Sequence, residues 1–591
     1  MHELWQVDEN KAWFKKWWPK KTPKNYKFEE ISLGEFFDRQ CKKYANEKFM
    51  YFIESWLSYS EAGNFMNSFG TALHNLGIKK GDTVALLLPN SFQYVICFYG
   101  AAKIGAVATG INPTYKPLEV LHHLTLTKAK CLVCLDALYE ELVEPIIEKS
   151  KVEFIIATNV VDLCSGLPGI KKTLGKALKK IPKGKVTFKR TYNLLDLLKT
   201  TPHLPDVDID PVEDTCTYIM TGGTTGVPKA AVLTHFNVVS NAVQCVLWFG
   251  GEEPGVGDLG VLPMFHSFGL TAVMNTSIGL GGWMMLFPRP PETGEFLKEI
   301  NHIPAPKGLV YAGAEILFKR IADFPKLNKF PELFGKLRLC ISGAGPLHRP
   351  VRDAFVKNTG GVLVEGYGLS EASPVVSAGN LFGESPIGAI GMPLTGTDWA
   401  IFPADDFEKG SIADGSSGSK YGEENTGELC VCGPQVMKCY LGQEQESADT
   451  IKEWKNRTWL LTGDIGFMND DGTVTLRDRK KQLIKVAGHS VFPAEVESML
   501  MKHEAVSEAA VSGLPDPAGK LGEITKAWVA LRPEWRGKIT EKELIAWSKK
   551  NMTEWKCPAA IEFIDEVPKN ILGKIQRRAL QEADPLYKKS K

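Results

Sequence analysis

From residue 82 onward the chain alternates short apolar runs with segments of helix length, and this rhythm limits the possible folds more than any other feature. "DTVALLLP" reads as a strand and Ser91 to Ala108 as a largely apolar helix. "AKCLVCL" reads as a strand, Ala137 to Lys149 as a helix, and "VEFIIAT" as a strand. Such alternation predicts a parallel α/β sheet. The rhythm returns at "LRLCIS", "RPVRDAFVKN" and "GVLVEGYG", so two units of this kind build a large compound N-terminal domain. At 591 residues the chain is too long for one core, and several domains are expected.

The pattern changes near residue 479, where "DRKKQLIKVAGHSVFP" forms a charged junction. Beyond it Val496, Met499, Leu500 and His503 share one helical face, and "AVSEAAVSGL" and "ITKAWVALRP" read as strands. The expected division is therefore a large domain over residues 1–478 and a small α+β domain over residues 479–591.

Charge excludes one class of partner. The 70 basic and 69 acidic residues nearly cancel, which gives no general case for nucleic-acid binding. The first residues, "MHELWQVDENKAWFKKWWPKK", lack the apolar core of a secretory signal, so a cytoplasmic protein is expected. "CLVC" at Cys131–Cys134 has CxxC spacing but sits in a strand-like run with no second pair, which favours buried thiols over a zinc site. The longest uncharged run, Leu270 to Phe287, contains Asn275, Thr276, Ser277 and three glycines and reads as a buried core segment. Residues 406–425 form a Gly/Ser/charge-rich loop. Residues 170–190 carry eight lysines, one arginine and no acid, with Ile170, Leu174, Ala177, Leu178 and Ile181 at helical spacing. A solvated surface hairpin is the favoured reading; a basic amphipathic helix on an anionic membrane is the alternative.

Chemistry concentrates in "YIMTGGTTGVPKAAVLTH", Tyr218 to His235. Gly222, Gly223 and Gly226 let the backbone approach a ligand, Thr221, Thr224 and Thr225 offer hydroxyls, and Lys229 offers a charge. That is the chemistry of a phosphate cradle. It is not a Walker A loop, since Pro228 precedes Lys229 and alanine follows it. Alone it does not decide against an ordinary glycine-rich loop. Further motifs follow in order: "LPMFHSFG", "SGAGPL", "EGYGLSEASP", "GELCVCGPQVMKCY", "WLLTGD", "DRKKQLIKVAGHSVFPAEVE" and "PKNILGKIQRRAL".

Taken together these motifs resemble, over nearly the full length, an acyl-CoA synthetase of the adenylate-forming (AMP-binding) superfamily. "TGGTTG", "GYGLSEASP" and "PMFHSFGL" look most like the bacterial-type long-chain fatty acid–CoA ligases. Ala230, Ser370, Cys439 and Gln482 depart from the family's usual residues, and none removes a group its chemistry needs. The resemblance implies an α/β fold with a large compound domain of parallel α/β sheets, a distorted β-barrel, and a small mobile α+β C-terminal domain. It implies ATP, Mg²⁺ and coenzyme A, and a medium- or long-chain fatty acid as substrate. Lys574 would bridge carboxylate and α-phosphate, Glu371 with Thr225 would bind Mg²⁺, and the loop with Lys229 would hold phosphates. Tyr367 would offer its ring face to adenine with Gly343, Ala344 and Gly345 beside it, and Gly368 and Ser370 would belong to the same ATP/AMP site. Asp464 would accept from the ribose hydroxyls, and Arg479 would reach the ribose or phosphate. Lys481 would be the hinge, Lys485, Gly488 and His489 would line the coenzyme A entrance, and His266 and Gly269 would border the acyl pocket. Gly279, Gly281 and Gly282 offer further room for an alkyl chain.

Three alternatives stay open: a ligase for aromatic or branched acids, an acyl-AMP ligase that serves a carrier protein, and a noncatalytic lipid-binding relative. The expected assembly is a monomer or homodimer, with peripheral contact to an anionic inner membrane face as an option.

Overall fold

The apolar runs become strands because they are buried along almost their whole length. Thr83–Leu87, Cys131–Leu135 and Phe154–Thr158 lie side by side and parallel, and strands enclosed on both faces need no polar alternation. The computed structural model describes residues 5–221, 228–486, 489–517, 522–570 and 574–589. The chain divides into two compact units, residues 1–399 with 431–460 and residues 400–430 with 461–591.

The first unit contains two large sheets. One has eight strands in the order Cys439–Tyr440, Lys229–Thr234, Thr215–Thr221, Val107–Gly110, Thr83–Leu87, Cys131–Leu135, Phe154–Thr158 and Thr191–Asn193. The other has nine, and its central strands Val362–Gly368, Leu337–Ser342, Leu309–Gly313, Gly257–Gly260, Trp283–Leu286 and Lys48–Phe52 run parallel. The helix expected over Ser91–Ala108 spans Phe92–Ala102, is capped by the Ser91 hydroxyl and is buried at every residue. An apolar helix with no polar side belongs inside a large protein. Its Tyr94 and Tyr99 hydroxyls donate to the Met264 carbonyl and to Asn275 Oδ1 at 2.8 and 2.7 Å.

One expectation changes. Residues 137–149 do not make one helix: a helical turn at Asp136–Leu138 widens into a π turn at Tyr139–Val143 and ends in a 3-10 turn at Ile147–Lys149. Pro145 interrupts the segment because it has no amide hydrogen for the helical ladder. Of the N-terminal tryptophans, Trp5, Trp17 and Trp18 are half-buried and Trp13 lies inside. Trp13 is fully buried and meets Trp399 edge-on at 6.0 Å, and Trp18 meets Trp248 at 5.1 Å. The run Leu270–Phe287 is core, divided among a π turn, a short helix and the strand Trp283–Leu286. Among the described residues no helix is long and apolar enough to cross a membrane.

Where a distorted barrel is implied, residues 398–479 supply a curled five-stranded half-barrel sheet. In the second unit Val506–Pro515 pairs antiparallel with Glu523–Leu531, which pairs parallel with Ala560–Ile564. Val496, Leu500, Val511, Val529 and Leu544 form its core. Arg577, on helix Arg577–Ala583, grips the buried Glu497 through two hydrogen bonds of 2.6 Å each. Glu497 also accepts the Val511 amide at 2.8 Å, so helix Pro493–Leu500 is tied to both its neighbours. Arg577→Ala leaves this carboxylate buried without its cation and is expected to cost about 3–5 kcal/mol. Urea unfolding checks this, and a loss under about 1 kcal/mol, the size of an exposed pair, would show that the pair is not structural.

Candidate functional site

Parallel strands all point one way, so the segments leaving their carboxyl ends collect along one edge of the sheet. In the nine-stranded sheet the segment after Gly257–Gly260 carries His266, and that after Leu337–Ser342 carries Gly343, Ala344 and Gly345. The end of Val362–Gly368 supplies Tyr367 and Gly368, followed by Ser370 and Glu371 in a 3-10 turn. These residues are far apart in sequence, and the sheet brings them to one edge. Ser267 Oγ lies 3.0 Å from Ser370 Oγ, which joins two of the segments directly. A Cβ on Gly343 would fall 2.8 Å from the Phe268 ring, so only glycine permits this approach. Ala344 holds a left-handed φ of 67° beside it. His266 is half-buried and its Nδ1 accepts the Phe268 amide at 3.2 Å.

The glycines do not open a channel. A Cβ at Gly269 would lie 2.3 Å from the Pro263 carbonyl oxygen, and one at Gly281 would lie 2.4 Å from the Tyr44 ring. At Gly279 and Gly282 it would meet Val246 at 2.6 Å and the Val256 carbonyl at 2.7 Å. The missing side chains are what let these neighbours close in, which corrects the expectation of alkyl room at these positions.

Glu371 is held from two directions. Its Oε1 accepts the Tyr440 hydroxyl at 2.7 Å, and its backbone carbonyl accepts the Met437 amide at 2.8 Å. Buried amides fix the loop before Met437: Asn237 donates to the Pro434 carbonyl at 2.8 Å, and Gln244 Nε2 reaches Gln435 Oε1 at 3.2 Å. Burial and then the Glu371 charge push the Tyr440 hydroxyl well above its ordinary pKa, so it stays a donor. Tyr440 pairs in register with Ala231 on the strand Lys229–Thr234, and Lys229 sits over its ring at 5.2 Å while pairing with Glu446. Thr221 is opposite Lys229 across the hairpin. Gly222, Gly223, Thr224, Thr225 and Gly226 lie outside the described residues.

Tyr440 and Glu446 were not singled out from the sequence. Tyr440 closes one of the motifs, but no spacing links it to Glu371, which is 69 residues away. A second unanticipated group is Glu365, pushed up to about 7 by burial and drawn back by the Leu347 amide and His348. His348 in turn sits 2.9 Å from Glu315 Oε1, and this hydrogen bond raises its own pKa.

In the second unit Asp464 and Arg479 are register partners on adjacent antiparallel strands, and Arg479 Nε lies 3.0 Å from Asp464 Oδ1. Lys574 shares their electrostatic environment. Its side chain is exposed, and desolvation of the ammonium by the nearby protein lowers it to about 8; Arg479 and Arg577 add to this while Asp464 and Asp478 oppose it. The Lys574 amide donates to Asn570 Oδ1 at 2.9 Å, and its carbonyl accepts the Asn570 amide at 2.9 Å, which pins the residue from behind. Lys485 is exposed on the strand Ile484–Val486, its amide donating to Glu523 at 2.7 Å. Lys481 lies in the 3-10 turn Lys480–Gln482. Gly488 and the side chains of Lys481 and His489 lie outside the described residues.

Comparison with known proteins gives two family matches, the AMP-binding enzyme model over residues 37–441 and the AMP-binding enzyme C-terminal domain over residues 495–574. The chain is 37% identical to a long-chain-fatty-acid–CoA ligase of Bacillus subtilis, over 86% of each chain. It is 32% identical to 4-coumarate–CoA ligase 2 of Oryza sativa subsp. japonica, over 86% of this chain and 84% of that one. A solved long-chain-fatty-acid–CoA ligase from Archaeoglobus fulgidus shares the fold with a TM-score of 0.65 at 23% identity, covering 93% of this chain and all of that one.

Glu365 should titrate near neutrality. Infrared difference spectra taken between about pH 6 and about pH 8 are expected to show a protonated carboxyl band that fades as pH rises and is absent from Glu365→Gln. His348→Ala removes a nearby cation and should move the fading to higher pH; a move in the opposite direction would contradict the assignment.

Proposed function

The chain belongs to the AMP-binding enzyme family, and on that premise we propose that it joins a medium- or long-chain fatty acid to coenzyme A through an acyl-adenylate, with release of AMP and pyrophosphate. The observation that carries this reading is Lys574 beside the Asp464–Arg479 pair. A partly desolvated ammonium that also feels the charge of two guanidiniums gains from an arriving phosphate.

In the first half-reaction a carboxylate oxygen of the acid attacks the α-phosphorus of ATP and the bond to pyrophosphate breaks. A carboxylate is already ionised at neutral pH, so the step needs charge neutralisation and in-line placement rather than a base. Lys574 would neutralise charge between carboxylate and α-phosphate. Asp464 would accept from the ribose hydroxyls, with Arg479 turning toward the nucleotide. Tyr367 would face adenine, with Gly343 to Gly345, Gly368 and Ser370 allowing close approach. Thr221, the glycine-rich loop and Lys229 would hold the leaving pyrophosphate, Lys229 exchanging Glu446 for phosphate oxygen. Mg²⁺ would offset phosphate charge. Glu371 suits it, because Tyr440 engages only Oε1 and a hard cation prefers carboxylate oxygen; Thr225 is the second proposed ligand. His266 would position the acyl carboxylate.

In the second half-reaction the coenzyme A thiol, giving up its proton, forms the carbon–sulfur bond as the carbon–oxygen bond to AMP breaks. Residues 479–591 would rotate about Lys481 to present Lys485, Gly488 and His489 to the pantetheine arm. Acyl chains of this length partition into bilayers, so peripheral contact with an anionic inner membrane face belongs to the same proposal. The coumarate ligase among the relatives keeps an aromatic acid as the second substrate reading.

Pyrophosphate release from ATP and Mg²⁺ across a series of acids, with and without coenzyme A, tests the reading. Sustained turnover requiring both an aliphatic acid and coenzyme A is expected; stimulation only by aromatic acids would replace the first substrate class with the second. Lys574→Ala should lower adenylate formation by about 10²–10³-fold, roughly 3–4 kcal/mol, and spare thioester formation from preformed acyl-AMP. Lys485→Ala should do the reverse, and failure of both variants in the same half-reaction would remove the rotation. The Lys574 ammonium is charged below about 8 and neutral above it, so kcat/KM for adenylation should fall as pH rises through that value. Lys574→Arg keeps its charge and should push the alkaline fall upward; an unmoved profile would assign it to another group.

A further inference from the structure

Helix Gly169–Ala177 is amphipathic in the reverse of the usual sense. At about 100° per residue, Ile170, Leu174, Ala177 and the capping Leu178 share one side. The three large ones are 77%, 53% and 61% exposed, so this apolar side faces solvent. Lys172 and Lys176 occupy the opposite side and are half-buried, Lys176 lying 3.8 Å from Asp162. A surface helix normally turns these sides the other way.

The helix stands on a firm base. Ile181 folds back over Gly175, where a Cβ would fall 2.6 Å from it, and the Pro182 carbonyl accepts from Asn159 at 2.8 Å. Thr187 donates to Glu144 at 2.5 Å, and Val186 and Phe188 pack on an apolar cluster. The exposed apolar strip is therefore fixed in place. It is also strongly charged around its rim: Asp136, Asp162, Glu144 and Glu153 are the acids that approach residues 170–190, against eight lysines and one arginine. Lys171, Lys179, Lys180, Lys183 and Lys185 are all exposed.

We propose that this helix is a docking face for an anionic lipid bilayer, with Ile170, Leu174 and Leu178 entering the acyl region and the lysines lying at the level of the lipid phosphates. Three side chains make a strip far narrower than the roughly 1,000 Å² that a stable protein interface needs. A bilayer satisfies both features at once, since it accepts a narrow apolar strip and presents a continuous negative surface. Of the N-terminal tryptophans, Trp13 is buried and Trp18 is held edge-on against Trp248, so this segment presents no comparable apolar strip. The docking gives a site to the peripheral membrane contact proposed above and rests on that part of the reading, while flotation reads it without any ligase activity.

Flotation of the full chain with vesicles of phosphatidylcholine containing about a third phosphatidylglycerol, against phosphatidylcholine alone, tests the proposal. Binding to the anionic vesicles only, weakened by salt, is expected. Ile170→Ser/Leu174→Ser/Leu178→Ser and, separately, Lys171→Glu/Lys179→Glu/Lys180→Glu should each lower the partition coefficient by on the order of tenfold or more without changing the melting temperature. Equal flotation with neutral vesicles, no flotation at all, or undiminished binding by both variants would overturn it. So would a serine variant that changes the mass seen by light scattering, since that outcome would assign the strip to a second copy of the chain.

Discussion

Three hydrogen bonds from the buried amide of Asn90 join the two large sheets where the site is built. Its Nδ2 donates to the Gly260 and Leu262 carbonyls at 2.9 and 2.8 Å, and its Oδ1 accepts the Met264 amide at 2.8 Å. Asn90 follows the strand Thr83–Leu87 of one sheet, and its partners lead from strand Gly257–Gly260 of the other toward His266. Both amide protons are used, and the Leu262 carbonyl and Met264 amide, whose loss of a partner would cost about 1–3 kcal/mol apiece, are satisfied by it, while the Gly260 carbonyl also accepts the Phe287 amide at 3.1 Å. Tyr94 adds a bond to the next carbonyl, that of Met264. The segment carrying His266 is thus held by the first sheet as firmly as by its own, and the carboxyl edge of the second sheet is correspondingly rigid.

The charged group of the second unit works on a different principle. Asp464, Asp478 and Glu497 face Arg479, Arg577 and Lys574, so the formal charges cancel. They cancel unevenly in space. Arg577 is committed to Glu497 through both its forks, and Arg479 to Asp464, while Lys574 is left with a lowered pKa. Bidentate pairing of guanidinium with carboxylate is the strong geometry, and an ammonium has no equivalent. Lys574 is thus the cation of the group with no carboxylate fork to hold it, while Arg577 is tied to Glu497 on two sides.

Much of this was legible in the sequence for a specific reason. Parallel strands enclosed on both faces read as unbroken apolar runs, so Thr83–Leu87, Cys131–Leu135, Phe154–Thr158 and Leu337–Ser342 appear where the runs are. Asp464 and Arg479 were identified by motif resemblance, and their ion pair follows from a hairpin register that short-range pattern allows. Pairings across the fold were not legible. Tyr440 meets Glu371, and Glu446 meets Lys229, over separations of 69 and 217 residues, and nothing local in either partner encodes the other. Glu365 is of the same kind, since its shift depends on burial that arises only when strand Val362–Gly368 takes its place in the sheet. The segment 137–149 failed for a local reason: apolar spacing outweighed one proline.

The packed glycines change how acyl selectivity must be understood. Each buried methylene contributes about 0.8 kcal/mol, so a chain-length preference reflects how many methylenes find apolar walls before something blocks the way. Gly269, Gly279, Gly281 and Gly282 contribute no such space, because Pro263, Val246, Tyr44 and Val256 have already moved into it. Close packing around Tyr44 and Val246 instead makes this part of the core stiff, since interiors at crystal-like density transmit strain rather than absorb it. Room for an acyl chain is therefore a matter of contacts at positions other than these four glycines. Contacts between positions far apart in the chain, such as Tyr440 on Glu371, are written in the fold and not in any stretch of residues.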